Sequence, residues 1–450
     1  MYVPSSSTLP HTNMSLGGGS GWSGPTNCVA GAACSTLNPF YAQCLPAATG
    51  TTTGSTTTSA TATTLTTTTS SISTTTTSGT PTVTATAAGN PFSGHQLYVN
   101  PYYSSEVHTL AIPSLTGTLS SLSAAATAAA KVPSFAWFDT SAKVPRMREY
   151  LEDIRSQNAA GASPPVAGQF VVYNLPDRDC AALASNGELA IARDGVRLYK
   201  EYIDSIRDII LEYDDVRTIL VIEPDSLANL VTNLNVPKCA GAQAAYLECT
   251  DYAVRQLNLP NVAMYLDAGH AGWLGWAANL QPAATLYANV YKNAGSPASL
   301  RGLATNVANY NAWTIGTCPA YTQGNTVCDE KRYVNALAPL LRNNGWDAHF
   351  ITDTGRSGKQ PTGQNAWGDW CNVINTGFGQ RPTTNTGDAL VDAFVWVKPG
   401  GESDGTSDSS ATRYDAHCGY ADALQPAPEA GTWFQAYFVQ LLKNANPALA

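Results

Sequence analysis

The chain has 450 residues, of which 44% are hydrophobic and 13% are charged, and its net charge is −9. This acidic balance, without any run of Lys or Arg, excludes nucleic acids and anionic membranes as ligands, because both need clustered cations. No apolar run approaches the roughly 18 residues that a membrane helix requires. The polar surface must then come from neutral side chains and from aromatics, including 21 Tyr and 10 Trp, which suits a neutral ligand rich in hydroxyls, such as a sugar.

Residues 1–15 contain neither the basic start nor the apolar stretch of a signal peptide, so we predict an atypical N-terminal segment there. The chain has ten cysteines, and a long Thr/Ser-rich tract follows the first three of them. Disulfides persist in oxidising compartments, and this pattern therefore predicts a secreted, extracellular protein.

Residues 16–46 are rich in Gly, Cys and aromatics. They contain Gly21-Trp-Ser-Gly-Pro, then two cysteines, then Asn38-Pro-Phe-Tyr-Ala-Gln-Cys44. This segment resembles the fungal family 1 cellulose-binding module. The resemblance implies a small Cys-rich β module whose flat, cellulose-binding face is formed by Trp22, Phe40 and Tyr41.

The module departs from its family in one respect. Its relatives carry four cysteines in two bridges, and the first of the four is missing here, around Leu16. The resemblance implies a Cys28–Cys44 bridge and leaves Cys34 without its usual partner. Because each bridge contributes about 2–5 kcal/mol to a small domain, we expect this head to be weakly stable.

Residues 47–88 are almost entirely Thr, Ser, Ala and Gly. Such a tract has no apolar periodicity and cannot bury enough surface to offset its conformational entropy. We therefore predict a disordered linker, and its Thr/Ser density is typical of an O-glycosylated stalk.

From residue 89 to residue 450 the pattern changes to short β-rich runs that alternate with helical patterns, which predicts an α/β domain. Seven such runs predict a parallel sheet closed, or nearly closed, into a β/α barrel. The predicted strands are Phe135–Phe138, Phe170–Leu175, Thr218–Ile222, Val262–Leu266, Leu303–Val307, His349–Thr352 and Ala393–Val397. The clearest helical patterns are Val196–Tyr213, Ala242–Leu257 and Glu330–Asn344.

Polar and acidic residues follow each predicted strand. They are Asp139, Asp177, Asp179, Glu223, Asp225, Asp267, His270, Asn309, Asp353, Lys398, Glu402 and Asp404. In α/β barrels the active site lies at the C-terminal strand ends, and paired carboxyl groups there are what glycoside hydrolysis requires. The alternative for any single aspartate is a helix cap or turn residue, since strand-to-helix loops favour Asp.

Two longer segments carry a more specific pattern. They run from Val171 to Gly187, reading VVYNLPDRDCAALASNG, and from Leu220 to Leu227, reading LVIEPDSL. Both resemble the signature segments of glycoside hydrolase family 6, in particular those of fungal type II cellobiohydrolases, and the resemblance extends over residues 89–450. It implies a distorted barrel of seven parallel strands and inverting hydrolysis of β-1,4-glucan, without a cofactor or a metal.

The resemblance also implies roles for single residues. Asp225 matches the general acid, and Asp179 matches the carboxylate that raises the pKa of that acid and stabilises the transition state. Tyr173 matches a residue that distorts the sugar ring at the cleavage point. Asp404 matches the candidate base, which in this family has been thought to act through water.

Substrate contacts are implied in the same way. Lys398 and Glu402 match sugar-contacting positions, and Trp137, Trp273, Trp276 and Trp370 match tryptophans on which glucosyl units stack. Further candidates are Asp139, Ser185, Asp267, His270, Asn309 and Arg356. For Asp139, Asp267 and Asp353 a cap or turn role is an equal alternative, although Asp267 matches a residue near the catalytic pair.

Seven cysteines lie in the main domain. The resemblance implies the pairs Cys180–Cys239 and Cys371–Cys418, each of which would pin a loop at the active site. Spacing alone suggests a third pair, Cys318–Cys328. Labelling of both residues as free thiols in the native protein would refute this pairing. Cys249 lies in a helical pattern, and we expect it to be a buried free thiol.

The resemblance favours a monomeric cellobiohydrolase that binds cellulose and cello-oligosaccharides and releases cellobiose from non-reducing ends. Exo-action needs loops that cover the site, and residues 177–195 and 400–432 are long enough for this. An endo-β-1,4-glucanase of the same family is the alternative. A non-catalytic sugar-binding protein is a third possibility, against which the retained aspartates argue.

Overall fold

The computed structural model describes residues 89–449 and three strands near the N-terminus. The chain divides into two units, Met1–Gly79 and Thr80–Ala450. In the first unit, β1 (Leu16–Gly18) and β2 (Ala32–Asn38) flank the central strand β3 (Tyr41–Pro46) in an antiparallel sheet. The predicted cellulose-binding face, the Cys28–Cys44 bridge and the linker lie outside the described residues and side chains.

The second unit is built on a curved parallel sheet of seven strands in the order β5 to β11, with a two-residue strand β4 beside β6. The strands are β4 (Gln96–Leu97), β5 (Ala136–Phe138), β6 (Val166–Val172), β7 (Thr218–Ile222), β8 (Val262–Asp267), β9 (Leu300–Thr305), β10 (His349–Asp353) and β11 (Val391–Val395). In the described residues the outer strands β5 and β11 are not paired with each other, but the Phe135 N–H donates to the Trp396 carbonyl at 3.0 Å. The prediction of a distorted, incompletely closed seven-stranded barrel is confirmed.

Helices and turns fill the connections between the strands. The α-helices are α1 (Pro101–Glu106), α2 (Ser123–Ala129), α3 (Pro145–Ala159), α4 (Gly195–Glu212), α5 (Leu227–Thr232), α6 (Pro237–Gln256), α7 (Ala271–Leu274), α8 (Ala277–Asn293), α9 (Glu330–Asn343) and α10 (Gln435–Lys443). Shorter turns are a π-helical Val107–Ala111 and the 3₁₀ segments Ile112–Ser114, Gly117–Leu122, Ser141–Lys143, Ile191–Arg193, Ala320–Thr322 and Ala416–Gly419. None of the helices in the described residues combines the length and apolar character of a membrane span.

The core has an inner and an outer layer because the strands are buried on both faces. The inner layer fills the barrel with residues such as Val171, Val221 and Ile351. In the outer layer, α4 buries an apolar stripe against the sheet, at the three- and four-residue spacing of an amphipathic helix.

Three strands, β6, β9 and β11, lie earlier in the chain than predicted, and glycine accounts for two of them. Strand β9 begins at Leu300 rather than Leu303, and β6 begins at Val166 rather than Phe170. Each contains a glycine in its first half, and glycine weakens a strand pattern. At Gly302, an added Cβ would lie 1.7 Å from the His349 carbonyl oxygen, so the close approach of β9 and β10 requires glycine.

Candidate active site

The C-terminal ends of the strands enclose a cleft of about 520 Å³. Among its lining residues are eleven that the sequence predicted: Trp137, Tyr173, Asp179, Ser185, Asp225, His270, Trp273, Asn309, Trp370, Lys398 and Asp404. A smaller cavity of about 130 Å³ shares several of these walls and adds Asp139 and Glu402. Most of the strand-end residues that the sequence placed at one edge of the sheet therefore converge on one site, whereas Asp177, Glu223, Asp267 and Asp353 line neither cavity.

Asp225 is held by its backbone, and its carboxyl group is left free. The Asp225 N–H donates to Oδ2 of Asp267 at 3.0 Å, and its φ of 59° lies in the left-handed region. Two residues earlier, the Glu223 carboxylate accepts the N–H groups of Asn174 and Leu175 at 3.1 and 3.2 Å, which ties the end of β7 to the end of β6. In the described residues no group hydrogen-bonds to the Asp225 carboxyl, so it is available to a ligand in the cleft.

The surroundings of Asp225 favour its protonated form. Burial is the largest cause that raises the pKa of Asp225 well above its ordinary value, and the charges of Asp267, Asp179 and Asp404 add to it. Burial also raises the pKa of Asp267, to about 7. Asp179 is thus one of three carboxyl neighbours that raise the pKa of Asp225, and it contributes less than burial and Asp267 do.

Asp179 is joined to Tyr173. The Tyr173 hydroxyl donates to Oδ1 of Asp179 at 2.8 Å, and the Arg178 guanidinium lies 4.2 Å from the centre of the Tyr173 ring. Burial raises the pKa of Asp179, whereas Arg178, Tyr173 and Lys238 act in the opposite direction. Tyr173 is therefore held in a fixed position in the cleft, which Asp225 also lines.

Asp404 has the opposite environment. Arg356 donates to both of its oxygens at 2.9 and 2.8 Å, and Oδ2 also accepts the Tyr310 hydroxyl at 2.7 Å and the Asn372 N–H at 2.9 Å. Burial alone would raise the pKa of Asp404, but the charges of Arg356 and Lys398 and these hydrogen bonds hold it below its ordinary value. Asp404 is therefore a buried carboxylate that stays ionised.

Three of the four predicted tryptophan platforms line the cleft. Trp137 donates from Nε1 to the Val397 carbonyl at 2.8 Å and meets the Tyr173 ring edge-on at 5.3 Å. Trp273 and Trp370 also line the cleft. Trp276 lies outside the cleft lining and packs edge-on against Trp367, so its stacking role stays a prediction.

The remaining candidates have mixed environments. His270 caps α7 by accepting the Gly272 N–H at 3.2 Å, and burial lowers its pKa to about 4, so the ring is neutral. Asp353 accepts the N–H groups of Gly355, Ala308 and Lys398, which is the turn role that the sequence left open. Asn309 lines the cleft through its loop.

The polar residues of the smaller cavity form ion pairs. Lys398 Nζ lies 3.7 Å from Glu402 Oε2, and Asp139 pairs with Lys143 at 2.6 Å. Burial raises the pKa of Glu402 and raises that of its neighbour Glu106 to about 8. This cavity therefore places charged hydrogen-bonding groups beside the ring of Trp137.

Disulfides fix the loops around the site. The structure contains the pairs Cys180–Cys239, Cys318–Cys328 and Cys371–Cys418, and Cys249 is a buried free thiol in α6. Within residues 89–449, no cluster of His, Cys, Asp and Glu is arranged to hold a metal ion.

Sequence reasoning missed several residues at the site. Lys238 donates from Nζ to the carbonyls of Arg178 and Asp179 and to the Asn186 side chain, and its position next to Cys239 was a signal that could have found it. Tyr310 and Asn372 hold Asp404, but no pattern in the chain marks them.

A cleft that holds one protonated and one ionised carboxyl group, with indole rings on its walls, is the arrangement of a glycoside hydrolase. Residues 92–445 match the profile of the glycosyl hydrolases family 6, and residues 18–41 match the fungal cellulose binding domain. The chain therefore belongs to glycosyl hydrolases family 6.

Curated relatives and solved structures agree with this assignment. The chain is 81% identical over 431 residues to 1,4-beta-D-glucan cellobiohydrolase C of Emericella nidulans, covering 96% of this chain and 94% of the relative. It is 68% identical to exoglucanase 2 of Hypocrea jecorina, with 96% and 92% of the two chains covered. The structure of cellobiohydrolase II from Humicola insolens, in complex with glucose and cellotetraose, superposes with a TM-score of 0.79 at 64% identity, over 80% of this chain and 100% of that one.

Proposed function

We propose that this chain hydrolyses the β-1,4-glucosidic bonds of cellulose with inversion at the anomeric carbon and releases cellobiose from non-reducing chain ends. As a family 6 enzyme that is 68–81% identical to exoglucanase 2 and cellobiohydrolase C, it is a cellulose 1,4-β-cellobiosidase. The observation that carries the mechanism is the pair of carboxyl groups in one cleft, whose pKa values are shifted in opposite directions, upward for Asp225 and downward for Asp404.

Asp225 is the general acid. Burial and its carboxyl neighbours raise its pKa well above the ordinary value, which favours the protonated form, and it has no protein hydrogen-bond partner in the described residues, so its proton is free to pass to the glycosidic oxygen as the C1–O bond breaks. Asp267 fixes the backbone of Asp225 and helps to keep it protonated.

Asp179 and Tyr173 act on the sugar at the cleavage point. The negative charge of Asp179 stabilises the oxocarbenium-like transition state, and the Tyr173 ring, fixed by Asp179 and Arg178, presses the sugar out of its relaxed chair. A fixed dipole or charge at the site of developing charge costs no reorganisation when the bond breaks.

Asp404 serves as the base. A water molecule attacks C1 from the face opposite to the leaving oxygen, and its proton passes towards Oδ1 of Asp404, which accepts only the Arg356 guanidinium among the described residues. Because Arg356 lowers the pKa of Asp404, the ionised form is favoured, but the carboxylate is a weak base.

We assign the remaining predicted parts to binding and delivery. Residues 16–46 bind cellulose through Trp22, Phe40 and Tyr41, residues 47–88 form a glycosylated linker, and residues 89–450 form the catalytic domain of a secreted monomer. In the catalytic domain, Trp137, Trp273, Trp276 and Trp370 stack on glucosyl units. The match of residues 18–41 to a cellulose binding domain and the three disulfides support these roles.

Product analysis on amorphous cellulose tests the proposal. At early times, before mutarotation, proton NMR should show α-cellobiose as the main soluble product, because inversion of a β-linkage yields the α-anomer. Initial release of β-cellobiose would contradict inversion. A rapid fall in viscosity with little cellobiose would contradict exo-action.

A further inference from the structure

Two long loops contribute to the walls of the cleft. The first loop, residues 177–195, is closed at its base by a hydrogen bond from the Asp177 N–H to the Leu189 carbonyl at 2.9 Å. The second loop, residues 400–432, is closed by a bond from the Ser403 N–H to the Thr432 carbonyl at 2.9 Å. Ala181, Ala182 and Ser185 of the first loop and Asp404 and His417 of the second line the same cleft.

A single side chain joins the two loops. Asp415 of the second loop accepts the Leu183 N–H of the first loop at Oδ2, at 3.0 Å. Its other oxygen, Oδ1, lies 2.7 Å from Nδ1 of His417 and accepts the His417 N–H at 3.0 Å. Asp415 is only 7% exposed, so these bonds are shielded from water.

The loops also interlock by packing next to this junction. Ala184 of the first loop packs on the disulfide that joins Cys418 of the second loop to Cys371. A Cβ added at Gly405 would lie 2.8 Å from the Ala184 Cβ and 2.6 Å from the Cys418 Sγ, so only glycine permits this approach. The two loops therefore meet closely over the cleft, and Asp415 supplies the polar contact between them.

Asp415 is suited to hold a closed arrangement. It faces three donors, from Leu183 and from the backbone and ring of His417, and these lower its pKa although burial raises it. A buried carboxylate with three donors is costly to leave unpaired, which favours the state in which the loops touch. Asp415 is not among the residues that line the cleft, whereas its neighbour His417 is.

We propose that Asp415 is a positioning residue that determines exo-specificity by latching the two loops over the cleft. With the loops joined, a glucan enters only by threading its end, whereas with the loops apart an internal segment enters from the side. This inference rests on the proposed function, since it concerns where the same chemistry cuts the chain.

Three variants of the full-length enzyme test whether Asp415 holds the two loops together. Asp415→Ala removes both the charge and the acceptor for Leu183, and Asp415→Asn removes the charge but keeps an oxygen that can accept the Leu183 N–H. Asp408→Ala is the matched control, because Asp408 lies in the same loop and is exposed, with its side chain bonded only to Ser410.

The readout is the ratio of insoluble to soluble reducing ends on amorphous cellulose, with cellotetraose hydrolysis measured in parallel. Asp415→Ala should raise the ratio by roughly tenfold, the factor by which loss of one charge-assisted hydrogen bond shifts a two-state loop equilibrium. Asp415→Asn should give an intermediate ratio, because it keeps only one of the two accepting oxygens, and Asp408→Ala should stay close to the wild type. All three variants should still hydrolyse cellotetraose, which needs no loop opening.

Two outcomes would overturn the latch. One is an unchanged ratio in Asp415→Ala, and the other is an equal shift in the control Asp408→Ala, which would assign the effect to a general loosening of the second loop. If Asp415→Ala does not fold, Leu183→Pro removes the donor from the other loop, and an unchanged ratio in that variant overturns the proposal equally. Failure of the wild type on cellotetraose would instead contradict the proposed function, and the two failures are therefore distinguishable.

Discussion

The two sides of the cleft show how one type of side chain acquires opposite properties. At the end of β7, the carboxyl of Asp225 has no hydrogen-bond partner in the described residues and has three carboxyl neighbours, so it keeps its proton. In the second loop, Asp404 is equally enclosed, but Arg356, Tyr310 and Asn372 saturate it with donors, so it stays ionised. Burial is common to both, and the sign of the surrounding charge decides the protonation state.

The largest expected effect comes from removing the acid. Asp225→Asn should lower kcat on cellotetraose by about 10³-fold, because an amide has no proton to give to the leaving oxygen. Binding of cellotetraose, measured by calorimetry, should persist because the cleft walls are unchanged. Asp177→Asn in the neighbouring loop is the control, and near-normal activity in Asp225→Asn would overturn the acid assignment.

The next largest effect comes from unpairing Asp404. Arg356→Gln leaves a carboxylate buried without its cation and should cost about 3–5 kcal/mol in the free energy of unfolding. The pKa of Asp404 should then rise, and the acid limb of the pH–rate profile should move to higher pH because the base must be ionised.

The double variant Arg356→Gln/Asp404→Asn provides the control for this unpairing, since it removes the buried charge together with its partner. It should regain part of the lost stability in chemical denaturation. If the double variant is no more stable than Arg356→Gln alone, the cost does not come from the unpaired carboxylate.

A smaller change should follow from removing one neighbour of Asp225. Asp267→Asn keeps an oxygen that can accept the Asp225 N–H but removes a like charge, so the pKa of Asp225 should fall. Asp225 then loses its proton at a lower pH, so the alkaline limb of the kcat profile should shift to lower pH. An unchanged alkaline limb would show that Asp267 does not contribute to the protonation of the acid.

The smallest expected effect is a change in thermal stability, and it comes from Glu106, the neighbour of Glu402. Burial and the charge of Glu402 raise the pKa of Glu106 to about 8 in the folded state, against 4.5 ordinarily. Folding therefore opposes ionisation of Glu106, and this cost is absent below the ordinary pKa, grows as the pH rises towards 8 and is complete above it. Glu106→Gln should raise the melting temperature by a few degrees at pH near 8 but not at pH near 4.

Glu149→Gln on the exposed face of α3 is the control for this pH dependence, because it removes a carboxylate that is exposed to solvent. An equal gain in both variants, or the same gain from Glu106→Gln at both pH values, would exclude Glu106 as the cause.

The sequence predicted the fold and the acid side of the site because both are local patterns. Each of the seven strands overlaps its predicted run, and Asp225 and Asp179 follow the ends of their strands by three and seven positions. The partners of Asp404 could not be found in this way, since Tyr310, Arg356 and Asn372 lie 94, 48 and 32 positions from it. Only the folded barrel brings such distant segments together, and the charge state of Asp404 depends on them.

The predicted strand boundaries were wrong where a glycine or a buried charged residue lies within a strand. Strand β11 begins at Val391 and includes Asp392, a residue that favours loops, and the predicted run started after it. In the structure Asp392 is buried and paired with Arg301 at 2.9 Å, which compensates for a charge inside the sheet.

The most direct test of the central claim is the protonation state of the two carboxyl groups. Infrared difference spectra between the wild type and each variant, recorded at a pH of about 5, above the ordinary range of an aspartate, report which group is protonated. The account predicts that Asp225→Asn loses the band of a protonated carboxylic acid and that Asp404→Asn loses the band of a carboxylate. The reverse assignment, or the loss of the same kind of band in both variants, would contradict it.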